Sequence, residues 1–474
     1  MISDILHSLK NKEYSSVELT HQYLNRIENL NPKLNAYLTV ATDEALKAAG
    51  EVDKLIADSS DLEGLFRDKP LLGVPIGLKD IFSTKNIETT AASNILKGYI
   101  PPYDATVVKK IKDAGGIVLG KLNCDAFAHG ASGENSDFGV VKNPYDLNRV
   151  AGGSSSGSGA AAAAGLSVIS TGTDTGGSIR NPASFTNTVG LKPTYGRVSR
   201  YGIIAMASSL DSVGHLSKTV EDSARFLQVT AGYDPLDGSS AKNEVPNYIE
   251  GLKNSAESIK GLKIGLPKEY FSDALNSEIR DAVMNAAKKY EQMGAEIVEV
   301  SLPYTEYGLA VYYILTPSEV SSNLGRFDGI RYGFDRSKFG AEAKRRIMIG
   351  THVLSSGYYD AYYLKAQKVR TLLINDFKEA FNKVDVLLTP VTPDRPPLLG
   401  ENVNDPLKMY LMDVLSVTAN LAGIPGLSVP AGFSKSGLPI GMQLLGPHFS
   451  EDLLFKVGHA FEQQTKFYER TPNL

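Results

Sequence analysis

Apolar residues recur at helical spacing in the first part of the chain. Residues 15–18, Ser-Ser-Val-Glu, have the composition of a capping box, and an apolar face with helical periodicity follows them. Because Asn31-Pro32 is a helix stop signal, this pattern predicts a first helix that ends there. A second helix is predicted from about residue 42 to residue 56, so we expect this part of the chain to be helical.

Short apolar runs that end in glycine, proline or charge predict buried strands further along the chain. The predicted strands are residues 73–80, 116–119, 168–171, 263–266, 296–300 and 384–388. Helical patterns separate these strands, among them residues 105–114 and an alanine-rich stretch at 160–164. Alternation of this kind is typical of an α/β fold in which helices cover both faces of the sheet. We therefore expect one domain built on one large sheet.

The composition is that of an ordinary globular protein. Hydrophobic residues make up 42% and charged residues 22% of the 474 residues, which is enough for one large core or for two or three domains. The formal net charge of −4 gives no bulk attraction for a polyanion. If the protein acts on a nucleic acid, a partner or a local basic patch must therefore hold it.

Cys124 is the only cysteine, which excludes a disulfide or a cysteine-based zinc site within one chain. The first residues lack the basic and apolar stretches of a secretory signal. No run of 18 apolar residues predicts a membrane span. We therefore expect a soluble protein of the cytoplasm that has no membrane partner.

Two glycine-rich stretches resemble nucleotide-binding motifs, and neither has the required context. Residues 115–122 nearly match a P-loop, but Leu122 replaces the hydroxyl residue and the predicted order is helix, turn, strand. Residues 157–162 match a loose dinucleotide fingerprint, but we expect a turn at 143–146 and no strand ahead of them. The same missing strand disfavours a Gly-x-Ser-x-Gly nucleophile elbow at 153–157.

The seven histidines are scattered, and no pair has the spacing of a metal site. The sequence therefore predicts no metal. A Ser–His triad is not excluded by spacing alone.

Residues suited to acyl transfer follow a predicted strand, at positions 174–180. Gly176 and Gly177 precede Ser178, so the backbone can turn tightly and aim several N–H groups at one point. Such donors stabilise the negative charge that develops on a carbonyl oxygen when a serine attacks it. A glycine-rich turn with a solvated serine is the simpler interpretation of this motif on its own.

Two further features favour the catalytic interpretation. A second Gly/Ser run, at 152–158, lies one helix and one strand upstream, so both turns can reach the same edge of the sheet. Lys79 ends an apolar strand, where burial can lower the pKa of the amine enough for it to lose its proton. These features together predict a serine nucleophile with a lysine base.

Lys79, the run Gly-Gly-Ser-Ser-Ser-Gly-Ser and the stretch Thr-Gly-Gly-Ser-Ile-Arg together resemble the amidase signature family. Members of this family fold into a single α/β/α domain with a large mixed sheet and use a Ser–cis-Ser–Lys triad. The resemblance implies that Ser178 is the nucleophile, Ser154 the proton shuttle and Lys79 the base. It also implies a cis peptide bond ahead of Ser154. The implied oxyanion donors are the backbone N–H groups of Thr175, Gly176, Gly177 and Ser178.

Residues 190–202, 321–333 and 354–363 are similar to one branch of that family, the A subunits of aspartyl/glutamyl-tRNA amidotransferases. The similarity covers nearly the whole chain. A guanidinium suits the α-carboxylate of free glutamine, and a carboxylate suits its α-ammonium. The residues that the resemblance assigns to glutamine binding are Tyr312, Arg346 and Asp413. The single domain, 1–474, would then comprise N-terminal helices at 1–60, a signature core at about 70–215 and a glutamine-recognition part at about 300–430.

This resemblance implies that the chain hydrolyses glutamine and supplies ammonia to convert Glu-tRNA(Gln) or Asp-tRNA(Asn) into the amidated product. It further implies a heterotrimer with two partner proteins, a B-type kinase/transamidase and a small C-type protein. The B-type partner would use ATP and Mg²⁺ and hold the misacylated tRNA, and this chain would carry no cofactor. The alternatives are a free-standing amidase for another small amide, and a non-catalytic nucleotide-binding or scaffold protein.

Four residues depart from the pattern of the family. Ser156 stands where glycine is usual and Gly133 where threonine is usual, while Ala151 and His215 each stand where proline is usual. None of these changes removes a catalytic group. Gly133 and Ala151 can alter the loops around the pocket, so they bear on substrate details and not on the triad.

Overall fold

The computed structural model describes residues 1–331, 333–403 and 405–474. Tyr332, in the predicted motif at 321–333, lies outside the described residues. The helices are α1 (Ile2–Lys10), α2 (Ser16–Leu34), α3 (Thr42–Asp58), α4 (Leu62–Asp68), α5 (Thr106–Asp113), α6 (Ser156–Ala164), α7 (Arg180–Thr186), α8 (Val220–Thr230), α9 (Ser277–Gln292), α10 (Gly308–Asn323), α11 (Ala341–Val353), α12 (Lys365–Phe381), α13 (Pro406–Leu411), α14 (Val417–Ala422) and α15 (Glu451–Thr465).

Helix α2 begins at the predicted capping box and extends past its predicted end. The Glu18 N–H donates to Ser15 Oγ at 3.0 Å, and the Ser15 N–H donates to the Glu18 carboxylate at 2.8 Å. The prediction that the helix stops at Asn31-Pro32 is wrong, because Pro32 lies inside the last turn. Leu34 is fully buried, and this packing carries the helix beyond the proline.

Most strands belong to one large sheet. The strands are β1 (Tyr37–Val40), β2 (Pro75–Lys79), β3 (Ile117–Leu122), β4 (Lys142–Asn143), β5 (Asp146–Val150), β6 (Ile169–Asp174), β7 (Val189–Lys192), β8 (Ser212–Ser217), β9 (Lys263–Pro267), β10 (Glu296–Val300), β11 (Val386–Pro390), β12 (Gly426–Phe433) and β13 (Pro439–Leu445). Eleven of them form a mixed sheet in the order β1-β3-β2-β6-β8-β7-β12-β13-β11-β9-β10. Helices flank this sheet, which confirms the predicted α/β class and the single large sheet.

The six predicted strands are present as β2, β3, β6, β9, β10 and β11. They form the parallel pairs of the sheet, in which β2 lies between β3 and β6, and β9 lies between β10 and β11. Strands β2, β3 and β6 are buried along their full length. Their parallel pairing places the carboxyl ends of β2 and β6 at the same edge of the sheet.

The prediction that no strand precedes the Gly/Ser run is wrong. Strand β5 ends at Val150, directly ahead of that run. Among the named strands of the described residues it pairs only with β4, however, so it belongs to a separate two-stranded sheet, and an isolated antiparallel bridge joins Arg149 to Leu398. The stretch at 115–122 follows the predicted order, because α5 leads through a turn into β3 and no helix follows the glycines. That order is not the strand–loop–helix order of a P-loop.

Helix α6 explains the Gly/Ser/Ala composition of residues 156–164. Every residue of this helix is buried. A Cβ atom at Gly157 would lie 2.5 Å from both the Ala36 and Asn123 carbonyl oxygens, so only glycine permits this close approach. The run is therefore part of the core and not a linker. None of the helices in the described ranges is long and apolar enough to cross a lipid bilayer.

Candidate active site

Lys79 ends strand β2 and points its amine at three hydroxyl groups. Its Nζ donates to Ser154 Oγ at 2.8 Å, to Ser155 Oγ at 3.0 Å and to Thr173 Oγ1 at 3.0 Å. The side chain is fully buried, and this burial lowers the pKa of Lys79 from 10.5 to about 8. The neutral amine, which is the form that can act as a base, is therefore accessible near physiological pH.

The loop that carries Ser154 is held by the neighbouring loop at 125–133. The Asp125 N–H donates to the Ser154 carbonyl at 3.1 Å, and the Gly153 N–H donates to the Ala131 carbonyl at 2.7 Å. The Gly153–Ser154 peptide bond is cis, as the resemblance implies. A Cβ atom at Gly153 would lie 2.1 Å from Asp125 Oδ2, so this position requires glycine. The loop therefore presents Ser154 to Lys79 in one defined position.

Ser178 lies in the turn that leaves β6, at the same edge of the sheet. The Ser155 N–H donates to the Ser178 carbonyl at 3.1 Å, which ties the two Gly-rich turns together one residue away from Ser154. Ser178 is 7% exposed, the small accessibility that a nucleophile needs. The structure thus brings Lys79, Ser154 and Ser178 to one place, as the order of elements predicts.

A buried carboxylate holds the turn around Ser178. Asp174 accepts from the Gly177 N–H at 2.8 Å and from the Ile179 N–H at 3.2 Å, and it pairs with Arg180 Nη2 at 3.1 Å. Burial alone would raise the pKa of Asp174, but the Arg180 guanidinium, together with Lys192 and the Asn420 side chain, outweighs burial and brings this pKa down to about 2. The turn is therefore anchored by a permanently charged group.

The hydrogen bonds to Asp174 divide the predicted oxyanion donors into N–H groups that are already bonded and N–H groups that are free. The Gly177 N–H already donates to Asp174, whereas the N–H groups of Thr175 and Gly176 have no partner within the described ranges. Thr175 is oriented separately, because its Oγ1 donates to Asp211 at 2.7 Å. The Ser178 N–H likewise has no partner in the described part of the chain, so the free donors of the turn lie on both sides of Gly177, where they can face a carbonyl oxygen.

The predicted recognition residues line the other side of the same turn. A Cβ atom at Gly176 would lie 2.7 Å from Tyr312 Oη, so the tyrosine ring packs directly on that glycine. A Cβ atom at Gly177 would lie 3.6 Å from Asp413 Oδ1. Burial raises the pKa of Asp413 from 3.8 to about 8, against the opposing effect of the nearby Arg346. A cation beside this carboxyl group would restore its charge.

Arg346 completes this side of the site and is almost fully buried. Its Nε donates to Glu342 Oε1 at 2.8 Å, and its guanidinium lies over the rings of Tyr313 and Tyr410 at 5.4 and 5.8 Å. Its Nη1 has no hydrogen-bond partner among the described residues. One end of the guanidinium is therefore held in place, and the other is left to bind an anion.

A sequence model of the Amidase family matches residues 18–455 of the chain. The chain belongs to this family. The chain is 53% identical to the A subunit of the glutamyl-tRNA(Gln) amidotransferase of Carboxydothermus hydrogenoformans, over 99% of this chain and 98% of the relative. It is 52% identical to the protein of the same name from Geobacter metallireducens, over 98% and 97% of the two chains.

Solved structures agree with this amidase fold. The A subunit of the glutamyl-tRNA(Gln) amidotransferase of Thermotoga maritima superposes with a TM-score of 0.80 at 39% identity, over 94% of this chain and 91% of that one. The peptide amidase of Stenotrophomonas maltophilia superposes with a TM-score of 0.83 at 30% identity, over 100% and 98% of the two chains. The architecture is therefore shared by amidases with different names.

Several residues of this amidase site are not among the sequence-based predictions. Asp174 and Arg180 flank the Gly-Gly-Ser motif as oppositely charged residues six positions apart. This spacing is visible in the sequence and could have indicated an ion pair across the turn. Tyr313 follows a predicted residue directly, but its stacking on Tyr410 at 3.8 Å joins elements that are far apart in sequence. Only the tertiary fold reveals that contact.

Two of the departures from the family pattern, Gly133 and Ser156, lie directly against each other. A Cβ atom at Gly133 would lie 2.5 Å from Ser156 Cβ, so the serine side chain fills the space that a larger residue at 133 would need. His215 lies in β8, where Nε2 is 2.7 Å from Ser223 Oγ, and burial lowers the pKa of His215 to about 3. The hydrogen-bond partners of the Lys79 amine among the described residues are Ser154, Ser155 and Thr173, and Gly133, Ser156 and His215 are not among them. Within the described ranges, no group of three or more His, Cys, Asp or Glu residues could hold a metal ion.

Proposed function

We propose that this amidase is the glutamine-hydrolysing component of a tRNA-dependent amidotransferase. The observation that carries the proposal is that a buried lysine bonded to Ser154 and a buried arginine and aspartate, Arg346 and Asp413, lie around the Ser178 turn. An amide hydrolase needs the first feature, and an amino acid substrate suits the second. The names of relatives at 52–53% identity support the same function.

In the proposed reaction, Ser178 attacks the side-chain carbonyl carbon of glutamine. Neutral Lys79 accepts a proton from Ser154, which takes the proton of the Ser178 hydroxyl as the new C–O bond forms. The free backbone N–H groups of Thr175, Gly176 and Ser178 stabilise the oxyanion. The proton returns through Ser154 to the leaving nitrogen, the C–N bond breaks and ammonia departs.

Water completes the cycle by attacking the glutamyl ester on Ser178. The same relay through Ser154 and Lys79 removes a proton from this water, and the Ser178 oxygen regains a proton when the ester breaks. The net change is glutamine and water to glutamate and ammonia. No step requires a cofactor in this chain.

Substrate binding is assigned to three residues beside the Ser178 turn. Arg346 binds the α-carboxylate, Asp413 binds the α-ammonium, and the Tyr312 ring positions the side chain of glutamine over Gly176. The α-ammonium favours the charged form of Asp413, whose pKa is raised by burial in the free protein. This pairing makes free glutamine a better substrate than an uncharged amide.

The ammonia is used by partner proteins in the cytoplasm. A B-type kinase/transamidase uses ATP and Mg²⁺ to activate Glu-tRNA(Gln) or Asp-tRNA(Asn), holds the tRNA and adds the ammonia, and a small C-type protein completes a heterotrimer. Within this chain, we assign catalysis to a core at about 70–215 and glutamine recognition to about 300–430, after N-terminal helices at 1–60.

The Arg346→Ala variant tests the substrate assignment. We expect its loss of kcat/KM for glutamine to correspond to about 2–5 kcal/mol, the range for removing one partner of a buried charge pair. Propionamide, which lacks both charged groups, should lose much less. The matched control is Arg345→Ala, because Arg345 pairs with the same Glu342 but is 40% exposed. Ammonia release is measured for both substrates, and equal losses for both would favour a free-standing amidase of another small amide.

A further inference from the structure

The loop at 125–133 carries a buried histidine beside the catalytic serines. Asp125 and Ala131 hydrogen-bond to the two residues of the Gly153–Ser154 peptide, at 3.1 and 2.7 Å. His129 lies between these two anchors along the loop and is fully buried. The predicted site residues do not include it, and the reaction described above does not use it.

Both ring nitrogens of His129 lack a hydrogen-bond partner among the described residues. Its nearest ring neighbour is Phe127, with centroids 6.1 Å apart, which satisfies neither nitrogen. A buried polar group without a partner costs free energy, so such a group in a native protein calls for an explanation. A ligand that supplies the missing partner is one such explanation.

Arg346 and His129 approach each other through helix α13. Asn135 Nδ2 donates to the His129 carbonyl at 2.8 Å and lies 3.5 Å from Met409 Sδ, and the Arg346 guanidinium lies over the ring of the next residue, Tyr410, at 5.8 Å. Burial, together with the positive charge of Arg346, holds the pKa of His129 well below its usual range, so the ring is neutral and offers one N–H donor. Arg346 Nη1 is also buried and has no partner within the described part of the chain. Two buried donors without partners among the described residues therefore lie in the same region of the site.

We propose that His129 is a specificity-determining residue whose ring N–H donates to the same substrate α-carboxylate that Arg346 binds. The assignment rests on the proposed function and adds a second donor to it. A carboxylate has acceptor sites for both a guanidinium N–H and an imidazole N–H. Binding it would satisfy two groups that the free protein leaves without partners.

Three amides separate the two charges of glutamine and test this assignment. Glutamine carries both charges, glutaramate carries the carboxylate without the ammonium, and 4-aminobutanamide carries the ammonium without the carboxylate. For His129→Leu, we expect kcat/KM to fall about 10- to 100-fold for glutamine and glutaramate, the effect of one hydrogen bond to a charged group. The fall should reside mainly in KM. The value for 4-aminobutanamide should change less than about threefold.

His129→Gln is the conservative variant, because its side-chain amide retains an N–H donor of similar reach. It should restore most of the activity on glutamine. The melting temperature of His129→Leu should equal or exceed that of the wild type, because leucine buries no unpartnered polar group. A purely structural histidine would instead give a lower melting temperature and similar losses on all three amides.

Equal losses on the three amides, or unchanged glutamine hydrolysis by His129→Leu, would overturn the role of His129 and leave the proposed function intact. If a trapped water, and not the substrate, is the partner of the ring, glutamine hydrolysis by His129→Leu should be unchanged. A wild-type protein that hydrolyses 4-aminobutanamide but not glutamine would overturn the proposed function as well. The two failures are therefore distinguishable.

Discussion

At the scale of single residues, Lys79 illustrates how burial creates a base. Its amine has three hydroxyl partners and no carboxylate within salt-bridge distance among the described residues. Asp125, Asp174 and Asp211 act on it only from a distance, so desolvation outweighs their attraction. The same lysine on the surface would keep its proton near neutral pH.

We predict that glutamine hydrolysis follows the titration of Lys79. Burial lowers the pKa of Lys79 to about 8, and only the deprotonated amine is a base, so kcat/KM should rise as pH increases through about 8 and then level off. Lys79→Arg should lower kcat by about 10²- to 10⁴-fold, because a guanidinium stays protonated. A pH–rate profile of the wild type checks the first expectation. The kcat of the variant checks the second, and circular dichroism shows whether the variant is folded. A rate that falls across this pH range, or near-normal turnover by the variant, would assign Lys79 to structure.

Gly133 and Ser156 are predicted to be coupled. Gly133→Ala places a methyl group 2.5 Å from Ser156 Cβ, and Ser156→Gly removes that obstacle. In a double-mutant cycle by urea unfolding, the destabilisation caused by Gly133→Ala should be smaller in the Ser156→Gly background, by about 0.5–3 kcal/mol. Part of the cost should remain, because Gly133 has a φ of +88°. Strict additivity would show that the two residues do not share this space.

Some residues of the site can be identified from the sequence, and others cannot. Lys79, Ser154 and Ser178 stand in motifs whose chemistry is visible locally, next to glycines or at the end of an apolar strand. Arg346 and Asp413 are ordinary charged residues in the sequence, and only a family resemblance selects them. His129 could not be selected, because its burial and its unpartnered nitrogens result from tertiary packing.

At the scale of elements, the turn from β6 into α7 depends on one buried ion pair. Asp174 accepts from two backbone N–H groups of this turn and pairs with Arg180, which also bonds to the Gln443 and Asn420 side chains. These contacts join the turn to β13 and α14, on the far side of the site. The position of Ser178 is therefore set by contacts from three elements.

Asp174→Asn should destabilise the fold by about 3–5 kcal/mol, because it leaves the buried Arg180 without a counter-charge. Asp146→Asn is the matched control, since its partner Arg149 is 26% exposed, and should cost about 1 kcal/mol or less. Unfolding free energies in urea at pH 7 measure both changes. The pKa of Asp174 is lowered to about 2, so its contribution is present above pH 4 and is lost as pH falls through about 2. Equal costs for the two variants would contradict the role of this pair.

The strands also show which sequence patterns predict secondary structure in this chain. The parallel strands, each of which contains a short apolar run or β-branched residues, are predicted to within about two residues at most of their ends. Strand β8 has no such pattern, because it buries His215 and two serines, Ser212 and Ser217. The antiparallel strands β7, β12 and β13, which follow β8 in the order of the sheet, contain glycine, proline or polar residues, so the sequence does not predict them either. Their burial depends on the sheet that surrounds them.

At the scale of the whole molecule, the chain has no net positive charge that would attract a tRNA. Its formal net charge is −4, and the glycine-rich stretch at 115–122 leads into a strand and not into the helix of a P-loop. These features fit a division of labour in which a partner protein binds the tRNA and ATP. Release of ammonia would then be controlled by docking of that partner.

We therefore predict that the isolated chain hydrolyses glutamine slowly and forms no Gln-tRNA(Gln). Addition of the B-type and C-type partners should increase ammonia release and make it respond to ATP and Glu-tRNA(Gln). Ammonia assays with and without the partners, followed by a tRNA amidation assay, measure both effects. Full ATP-dependent amidation of tRNA by the purified single chain would contradict this dependence.

The most direct measurement is detection of the acyl-enzyme on Ser178. The wild-type complex is quenched in acid during turnover with glutamine, and its peptides are analysed by mass spectrometry, in parallel with Ser178→Ala. We expect a glutamyl ester on the peptide that contains Ser178, no ester and no glutamine-dependent ammonia in the variant, and tRNA amidation by the variant when ammonium salt is supplied. An ester on another residue, or retained glutamine hydrolysis by Ser178→Ala, would contradict the assignment of Ser178 as the nucleophile.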